Sequence, residues 1–518
     1  MLRENPFGNP DGARADLEEI ETSFIVDAPH AIGKLPLPFS LDKRVIVGSK
    51  GTGKTVYLRK MQSLLDERSK NNPSIFVDDN IEQNLNCTDR VVKFCDLYPR
   101  HVLSEKWTVI WEKTILLTMA NYFLCNSRLS TYISYEQKEL LRKILMEFPF
   151  LQEDDLKYRY SPYSFFQILL SETETRHKAD SLLENKAWIR LKTILTTVLR
   201  TSPELYFFLD SIDLEYEHAP LHWLMCQKGL FYAVFLFLQE NTWGSKLHLT
   251  ITLRDNVFTS ILRSEHSTKY SNESHIFSLF WDMYGIKHFL QEKVKKLEDN
   301  FFAIKCRHSK DKTVGNWLGI EEIKNEFGKQ EAIESFILRH TRLVPRDIII
   351  IGNELAKARF ESSLDKDEKI REIVFSHSKM IGEELITICA KNITANTMPQ
   401  NAGVHGYVET FTANQFYHQS AYQKVLQVLK DIPENENQFD RHVLQQIEES
   451  ARPIFDTDCF FLDVLWQNGA IGYIENNREH FYAQKYNIDT LLPRDKERYI
   501  LRACIAQKIR ESPKEIER

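Results

Sequence analysis

One glycine-rich segment constrains the fold of this chain more than any other feature. Residues 48–55 are Gly-Ser-Lys-Gly-Thr-Gly-Lys-Thr, which matches the spacing G-x-x-x-x-G-K-[ST]. The β-branched run Arg44–Val47 precedes it, and a helix-forming stretch from Thr55 to Arg68 follows. Glycines let the backbone curl until its N–H groups converge beside a helix N-terminus, where they can bind phosphate oxygens. This strand–loop–helix context therefore predicts a phosphate-binding loop.

The residue types in this loop indicate a nucleotide and its metal ion as the ligand. Lys54 can reach the β- and γ-phosphates of a nucleotide, and the Thr55 hydroxyl can be a ligand of Mg²⁺. We therefore predict that ATP and Mg²⁺ are the cofactors. The predicted nucleotide-binding residues are Gly48, Ser49, Lys50, Gly51, Thr52, Gly53, Lys54, Thr55 and Val56.

Further along the chain, short apolar runs alternate with helical patterns. From Leu103 to Leu199 apolar residues recur every three or four positions, which predicts a helical insertion between strands. Alternating strands and helices favour a mainly parallel sheet with helices on both faces. The predicted fold class is therefore α/β, with the parallel sheet core of a P-loop NTPase and the helical insertion. The further strand candidates are Ser74–Val77, Glu204–Asp210, Lys246–Leu253 and His275–Phe280.

A metal ion bound to this loop also needs an acidic ligand, and Asp210 is the candidate. It ends the apolar run Leu205–Leu209, which places it at the carboxyl edge of a neighbouring strand. The alternative is an aspartate that only ends a strand in a turn. Ser211 follows it where many ATPases have a glutamate, so Asp213 is the predicted residue that orients the attacking water, with Glu215 as a weaker candidate. The predicted activity is ATP hydrolysis, either slow or dependent on a partner.

Two arginines are candidates for contacting the γ-phosphate. Arg254 ends the apolar run Lys246–Leu253, and a strand beside the one that carries Asp210 would direct it at the γ-phosphate. Arg346 opens the first long helix after a polar linker, so its guanidinium can reach over the nucleotide. The alternative for Arg254 is a surface arginine that begins a helix. The alternative for Arg346 is a solvated or aspartate-paired arginine. With the two aspartates above, these arginines complete the predicted catalytic residues.

Composition excludes several other classes of protein. A formal net charge of −6 over 518 residues rules out a uniformly basic coat for nucleic acid, although a local patch stays open. The longest apolar run, Gly229–Leu238, is far shorter than the ~20 residues of a membrane span, and the first residues lack the pattern of a secretion signal. The eight cysteines form no Cys-x-x-Cys pair, which indicates reduced thiols and a cytoplasmic protein. We therefore predict no membrane partner.

Together these residues resemble the AAA+/STAND branch of the P-loop NTPases, and within it the group similar to the origin-recognition ATPases. Val45–Thr55 is similar to the Walker A motif of that family, and Leu205–Asp213 to its Walker B motif in the D-x-x-D form of NACHT-like members. Thr250–Arg254 resembles the sensor-1 strand, and Thr341–Asp347 the sensor-2 stretch. The resemblance also implies that a lead-in at Asn5–Phe7 lies near the base pocket.

The C-terminal segment resembles a winged helix. Phe460–Tyr473 would supply a recognition-type helix and a turn, and Glu479–Tyr482 part of a two-stranded wing, with a hairpin signal at Asn476–Arg478. Residues 452–510 hold nine Lys or Arg and eight Asp or Glu, so double-stranded DNA and a protein partner both stay open. A local basic patch would consist of Lys485, Arg494, Lys496, Arg498 and Arg502.

The resemblance divides the chain into four regions. These are a lead-in near the nucleotide (1–40), the ATPase core with its helical insertion (41–300), a helical lid domain (301–400), and a helical linker with the winged helix (401–518). We expect a polar linker at 300–330 and a boundary at 392–405.

The resemblance also implies a molecular switch. In this family ATP would drive the control of an effector or partner protein, as in prokaryotic antiphage defence, and a homo-oligomer is compatible with that role. Two alternatives stay open. One is a DNA-binding, origin-recognition-like ATPase of replication or plasmid maintenance, and the other is a non-hydrolysing, nucleotide-bound scaffold whose partners dock on the insertion.

Overall fold

The computed structural model of the chain describes most of the sequence, in ranges separated by gaps. The described residues are 5–15, 42–82, 87–210, 220–262, 267–270, 273–305, 308–361, 367–397, 421–430, 432, 437–455, 461–482 and 491–511. Several parts of the sequence predictions lie outside these ranges. They are the water-orienting Asp213, its weaker alternative Glu215, Lys485 of the basic patch, Phe460 at the start of the recognition-type helix, residues 1–4 and 16–40 of the lead-in, and residues 398–405 of the expected boundary.

A five-stranded parallel sheet forms the centre of the N-terminal part. Every residue of its strands β1 and β4 is buried, as expected of parallel strands that are covered on both faces. This burial explains the continuous apolar runs in the sequence, and the predicted α/β class with a parallel sheet is confirmed. The strands are β1 (Val45–Val47), β2 (Ile75–Glu82), β3 (Glu204–Leu209), β4 (Leu247–Leu253) and β5 (Ile276–Ser278), in the spatial order β2-β3-β4-β1-β5.

The strand order reverses beside β1, and this reversal creates a crevice. From β1 the chain crosses to β2 at one edge, returns through β3 and β4, and then passes to β5 on the other side of β1. In open α/β sheets, ligands bind outside the carboxyl ends of the strands at such a reversal. The glycine-rich loop, residues 48–53, follows β1 at that edge, and Asp210 and Arg254 directly follow β3 and β4.

Helices connect the strands, and the longest connection lies between β2 and β3. The helices of this part are α1 (Lys54–Asn71), α2 (Thr88–Asp96), α3 (Arg100–Cys125), α4 (Tyr135–Leu145), α5 (Pro162–Ser171), α6 (Arg176–Leu183), α7 (Ala187–Thr201), α8 (Pro220–Gln239), α9 (Asn241–Gly244), α10 (Asp255–Leu262) and α11 (Ser267–Tyr270). The 26-residue helix α3 packs against α5, α7 and α8 and is buried along most of its second half. Within the described part of the chain, none of the helices has both the length and the apolarity that a bilayer crossing requires.

One close approach between α8 and α3 depends on glycine. A Cβ atom placed on Gly229 would lie 2.2 Å from the Cβ of Trp107 and 2.6 Å from its carbonyl carbon. Because backbone atoms cannot move aside cheaply, we expect Gly229→Ala to destabilise the protein by about 1–3 kcal/mol, despite the better helix propensity of alanine. The melting temperature should fall by several degrees, whereas the exposed control Thr197→Ala should leave it nearly unchanged. Equal melting temperatures for the two variants would contradict this packing.

The described residues of the C-terminal half are mostly helical and form two small antiparallel sheets. Its helices are α12 (Met283–Lys295), α13 (Val314–Leu318), α14 (Ile333–Arg339), α15 (Pro345–Phe360), α16 (Asp367–Thr397), α17 (421–430), α18 (Arg441–Phe455), α19 (Phe461–Gln467) and α20 (Ala503–Glu511). Its strands are β6 (Glu322–Lys324), β7 (Gln330–Ala332), β8 (Gln438–Asp440), β9 (Ile471–Glu475), β10 (Arg478–His480) and β11 (Arg498–Leu501). β6 pairs with β7, and the other four strands form a sheet in the order β10-β9-β11-β8.

One expectation for this half was wrong, and a second stays a prediction. The stretch 300–330, expected to be a polar linker, contains the helix α13 and most of the hairpin of β6 and β7. Helix α16 continues through Asn392 to Thr397, and residues 398–405 lie outside the described residues, so the expected boundary at 392–405 stays a prediction. The elements within 300–330 are each only about three to five residues long, and a sequence pattern indicates such short elements only weakly.

The C-terminal sheet confirms the hairpin signal, but it also corrects the predicted basic patch. Asn476 and Asn477 have φ of 51° and 58° and join β9 to β10 as a two-residue turn. All seven residues of α19 are buried, so in this conformation the recognition-type helix presents no face to a DNA groove. Arg502 is only 4% exposed and cannot belong to a basic surface patch. The winged-helix assignment itself stays a prediction.

Candidate functional site

The glycine-rich loop curls tightly between β1 and α1. Gly51 and Gly53 have φ of 92° and 98°, a left-handed conformation that favours glycine. A Cβ atom on Gly48 would lie 2.6 Å from the hydroxyl oxygen of Thr52 and 2.9 Å from the carbonyl oxygen of Leu279. A Cβ atom on Gly53, by contrast, would meet nothing within 4 Å. The loop is therefore closed towards the protein and open at Gly53, as a cradle for a phosphate group requires.

The first turn of α1 adds an anion-binding end to this loop. Its N-cap residue is Gly53, no side chain caps the helix, and the first turn contains no acid. The helix dipole and the N–H groups of that turn therefore favour a negative group there. The Lys54 ammonium donates hydrogen bonds to the carbonyl oxygens of Gly48 (2.8 Å) and Ser49 (3.1 Å), so it lies across the loop. The predicted phosphate-binding groups thus lie together.

The predicted metal ligands Thr55 and Asp210 are in direct contact. The Thr55 hydroxyl donates a hydrogen bond of 2.6 Å to Oδ2 of Asp210, although the two residues are 155 positions apart. Asp210 is almost fully buried at the end of β3. A hydroxyl and a carboxylate supply the oxygen donors that Mg²⁺ prefers, so the residues present fit this ion.

Two further residues orient Asp210, and the sequence analysis missed both. The Thr252 hydroxyl, on the neighbouring strand β4, donates a hydrogen bond of 2.6 Å to Oδ1 of Asp210. The Tyr163 hydroxyl, on α5 of the helical insertion, donates one of 2.8 Å to the carbonyl oxygen of Asp210. A threonine within the apolar run of β4 is a sequence signal that could have identified Thr252. The sequence carries no comparable signal for Tyr163.

The end of β4 brings an arginine and an unpredicted acid beside the loop. Arg254 lines the same pocket as Ser49 and Lys50, so the structure places this predicted residue at the loop. Asp255 follows it and begins α10. Burial raises the pKa of the Asp255 carboxyl, whereas the positive charges of Lys54 and Arg254 oppose that increase. The sequence analysis missed Asp255 because an acid in the first turn of a helix is common.

The first turn of α15 lies directly against the loop. The backbone N–H of Arg346 donates a hydrogen bond of 3.3 Å to the carbonyl oxygen of Gly51, and a Cβ atom on Gly51 would lie 3.0 Å from the Cβ of Arg346. The Arg346 side chain is 36% exposed, and its guanidinium lies 3.9 Å from Glu384. The adjacent Asp347 pairs with Arg342, through hydrogen bonds of 2.7 and 3.0 Å. The aspartate-paired arginine is therefore Arg342, and Arg346 lies at the loop.

A strained residue shapes the turn that precedes α15. Leu343 has φ of 60°, a left-handed conformation that costs a residue with a bulky side chain about 1–3 kcal/mol. The turn is held by the backbone N–H of Arg342, which donates to Asp347 (2.9 Å), and by that of Leu343, which donates to the Thr341 hydroxyl (3.0 Å). These bonds fix the direction in which Arg342 and the first turn of α15 approach the loop.

One carboxylate that the sequence analysis did not identify joins these cations. Glu384, on α16, lies 2.7 Å from the ammonium of Lys50 and 3.0 Å from the guanidinium of Arg342. Burial alone would raise the pKa of its carboxyl, but the charges of Arg342, Lys50 and Arg346 lower it to about 2. Glu384 therefore stays ionised and connects the loop to α16. No motif marks it, because glutamate is common on long helices.

The described part of the lead-in, residues 5–15, packs against both α1 and α15. The buried Phe7 donates a backbone hydrogen bond of 2.7 Å to the side-chain oxygen of Asn353 on α15. The side-chain amide of Asn353 in turn donates to the carbonyl oxygen of Gly8 (3.0 Å). On the other side, Arg59 of α1 donates a hydrogen bond of 2.8 Å to the carbonyl oxygen of Gly12. The lead-in therefore lies between the two helices whose first turns meet at the loop.

Comparisons with known proteins include one distant curated relative. The "Putative transposon gamma-delta 80.3 kDa protein" of Escherichia coli (strain K12) is 23% identical over 359 residues, which cover 68% of this chain and 47% of that protein. The chain thus spans about half the length of this relative. No family model and no solved structure matches the chain. The AAA+/STAND resemblance therefore stays a prediction.

Proposed function

We propose that the chain binds ATP together with Mg²⁺ at the glycine-rich loop and hydrolyses the ATP. The observation that carries this proposal is the hydrogen bond of 2.6 Å between Thr55 and Asp210. It sets a hydroxyl and a carboxylate side by side, next to Lys54 and the N-terminus of α1. A phosphate-binding loop with adjacent oxygen ligands for a metal ion suits a nucleoside triphosphate better than a simple anion.

Each group around the loop would have a distinct role in this reaction. Thr55 and Asp210 would hold Mg²⁺, which when bound neutralises negative charge on the phosphates. Lys54 and the N–H groups of the loop would bind the phosphate oxygens. Arg254 and Arg346, both beside the loop, are the proposed γ-phosphate cations. Asp213 stays the proposed residue that orients the attacking water.

The contacts of α15 and α16 support a switch rather than a simple hydrolase. The loop touches α15 through Arg346 and α16 through Glu384. Helix α16 in turn packs closely on α20, because a Cβ atom on Gly382 would lie 2.1 Å from the carbonyl oxygen of Cys504. A change at the loop would therefore reach α20, the helix that follows strand β11 of the C-terminal sheet. The proposed control of a partner protein, as in antiphage defence, rests on the family resemblance.

A DNA-dependent ATPase is the second candidate function. Arg478 and Arg498 are exposed on the C-terminal sheet, and the name of the distant relative refers to a transposon. The burial of α19 argues against groove recognition by that helix in this conformation. The exposed Arg478 and Arg498 make the strands β10 and β11 the proposed DNA contact instead. Stimulation of hydrolysis by a DNA duplex would favour this candidate.

Binding and turnover by the purified chain test the proposed function. We expect calorimetry to show ATP binding that Mg²⁺ strengthens, with a dissociation constant of about 1–100 μM, in the usual range for enzyme substrates. Release of inorganic phosphate would be measured alone, with duplex DNA, and with candidate partner proteins. Failure to bind ATP in the presence of Mg²⁺ would contradict the proposal. Binding without phosphate release in any of the three conditions would favour the non-hydrolysing scaffold.

A further inference from the structure

Glu384 is a carboxylate that lies among positively charged side chains beside the loop. It lies 2.7 Å from Lys50 of the loop, 3.0 Å from Arg342 and 3.9 Å from Arg346. Arg342 is also bound by Asp347, whereas Glu384 is the acid that the described contacts show on Lys50. The charge of Glu384 therefore faces Arg342, Lys50 and, at the longer distance, Arg346; of these, Arg342 already has Asp347 as a second acidic partner.

The position of Lys50 makes this pairing relevant to the ligand. With Ser49 and Arg254, Lys50 lines a pocket at the carboxyl end of β4. The Lys54 ammonium, by contrast, donates to carbonyl oxygens of the loop itself. The loop N–H groups and Lys54 would bind the phosphates that lie in the loop, whereas Lys50 and Arg346, which both lie beside Glu384, would bind a group that extends from the loop towards α15 and α16. A third phosphate is such a group, and a diphosphate lacks it.

We propose that Glu384 determines how strongly the site prefers a nucleoside triphosphate to a diphosphate. It occupies Lys50 and Arg346 until a terminal phosphate competes for them. A phosphate carries more negative charge and more acceptor oxygens than a carboxylate, so it can take both cations from Glu384. This inference rests on the proposed function, since it assigns a role to a residue beside the same loop.

Displacement of Glu384 would also be transmitted away from the site. The pairing with Lys50 ties α16 to the loop, and α16 packs on α20 through the close approach of Gly382 to Cys504. Once a terminal phosphate binds Lys50, the pairing between Lys50 and Glu384 is broken. Because a diphosphate has no third phosphate, only a triphosphate would break this pairing. Helix α20 would thus respond to the third phosphate and not to nucleotide binding in general.

The test compares the affinities for ATPγS and ADP in full-length variants, measured by calorimetry with Mg²⁺. Glu384→Gln removes the competing charge, so ATPγS should bind about tenfold more tightly while the ADP affinity changes less than about twofold. Lys50→Gln removes the proposed ligand and should have the opposite effect, with about tenfold weaker ATPγS binding and nearly unchanged ADP binding. Glu383→Gln is the matched control, because Glu383 is the exposed neighbour on α16 and pairs with Lys508.

The outcomes separate this inference from the proposed function. Parallel changes for ATPγS and ADP, or an unchanged ratio in both Glu384→Gln and Lys50→Gln, would overturn the role of Glu384. Wild-type protein that binds neither nucleotide would overturn the proposed function itself. Melting temperatures identify a variant that fails to fold. In that case the second variant decides, since Lys50 and Glu384 are predicted to shift the ratio in opposite directions.

Discussion

Lys54→Ala is expected to lower ATP hydrolysis by about 100-fold or more, the usual loss when a donor to developing negative charge is deleted, and to weaken ATP binding by about ten- to 100-fold, as for a lost hydrogen bond to a charged group. The Lys54 ammonium lies across the loop, 2.8 Å from the carbonyl oxygen of Gly48, and so occupies the place from which it can reach a phosphate. Calorimetry with ATP and Mg²⁺ measures the affinity, and phosphate release measures the turnover.

A lysine on the same helix provides the control for this prediction. Lys70 lies in the last turn of α1, and its side chain is exposed. Lys70→Ala should bind and hydrolyse ATP like the wild type. The melting temperature of Lys54→Ala must also stay close to that of the wild type, so that weaker ATP binding does not result from unfolding of the variant. If Lys54→Ala bound ATP as tightly as Lys70→Ala does, the loop would not be the nucleotide site.

The loop was predictable because its geometry depends on neighbouring residues. The left-handed φ of Gly51 and Gly53, the capping position of Gly53 and the first turn of α1 all belong to one contiguous stretch. The parallel sheet was predictable for a related reason, since strands covered on both faces must be apolar along their length. Asp210 could be identified from its position at the end of such a strand. Local sequence therefore carries this part of the site.

The remaining contacts could not be predicted because they join elements that are distant in sequence. Thr252, Tyr163 and Glu384 lie on a strand, an inserted helix and a C-terminal helix, and only the tertiary fold brings them to the loop. Arg502 shows the opposite error. The sequence predicts that Arg502 is one cation of a basic surface patch, but in the fold its guanidinium is buried over the ring of Phe481. Neither burial nor pairing of a charged residue follows from residue type alone.

Asp210→Asn is expected to lower ATP turnover by about 100-fold or more and to remove most of the effect of Mg²⁺ on ATP binding. Asparagine keeps the shape of the side chain but lacks the negative charge that a Mg²⁺ ligand supplies. Thr55 and Thr252 contact the two carboxylate oxygens of Asp210. In the variant one hydroxyl can donate to the amide oxygen and the other can accept from the amide nitrogen, so the variant should fold normally. Titration of ATP with Mg²⁺ and with EDTA gives the measurement. An Asp210→Asn protein in which Mg²⁺ still strengthens ATP binding to the wild-type degree would contradict the assignment.

Thr252→Val tests whether the orientation of Asp210, and not only its charge, is required. The variant keeps the volume of the side chain but loses the hydrogen bond of 2.6 Å to Oδ1 of Asp210. Such a bond to a charged group contributes about 1.5–3 kcal/mol, so the Mg²⁺ concentration for half-maximal turnover should rise about tenfold or more. ATP affinity in EDTA should not change.

Thr250→Val is the matched control, because Thr250 is equally buried on β4 but donates to the carbonyl oxygen of Lys43 (3.4 Å). Equal shifts in both variants would show that packing of β4, and not the orientation of Asp210, governs the Mg²⁺ requirement.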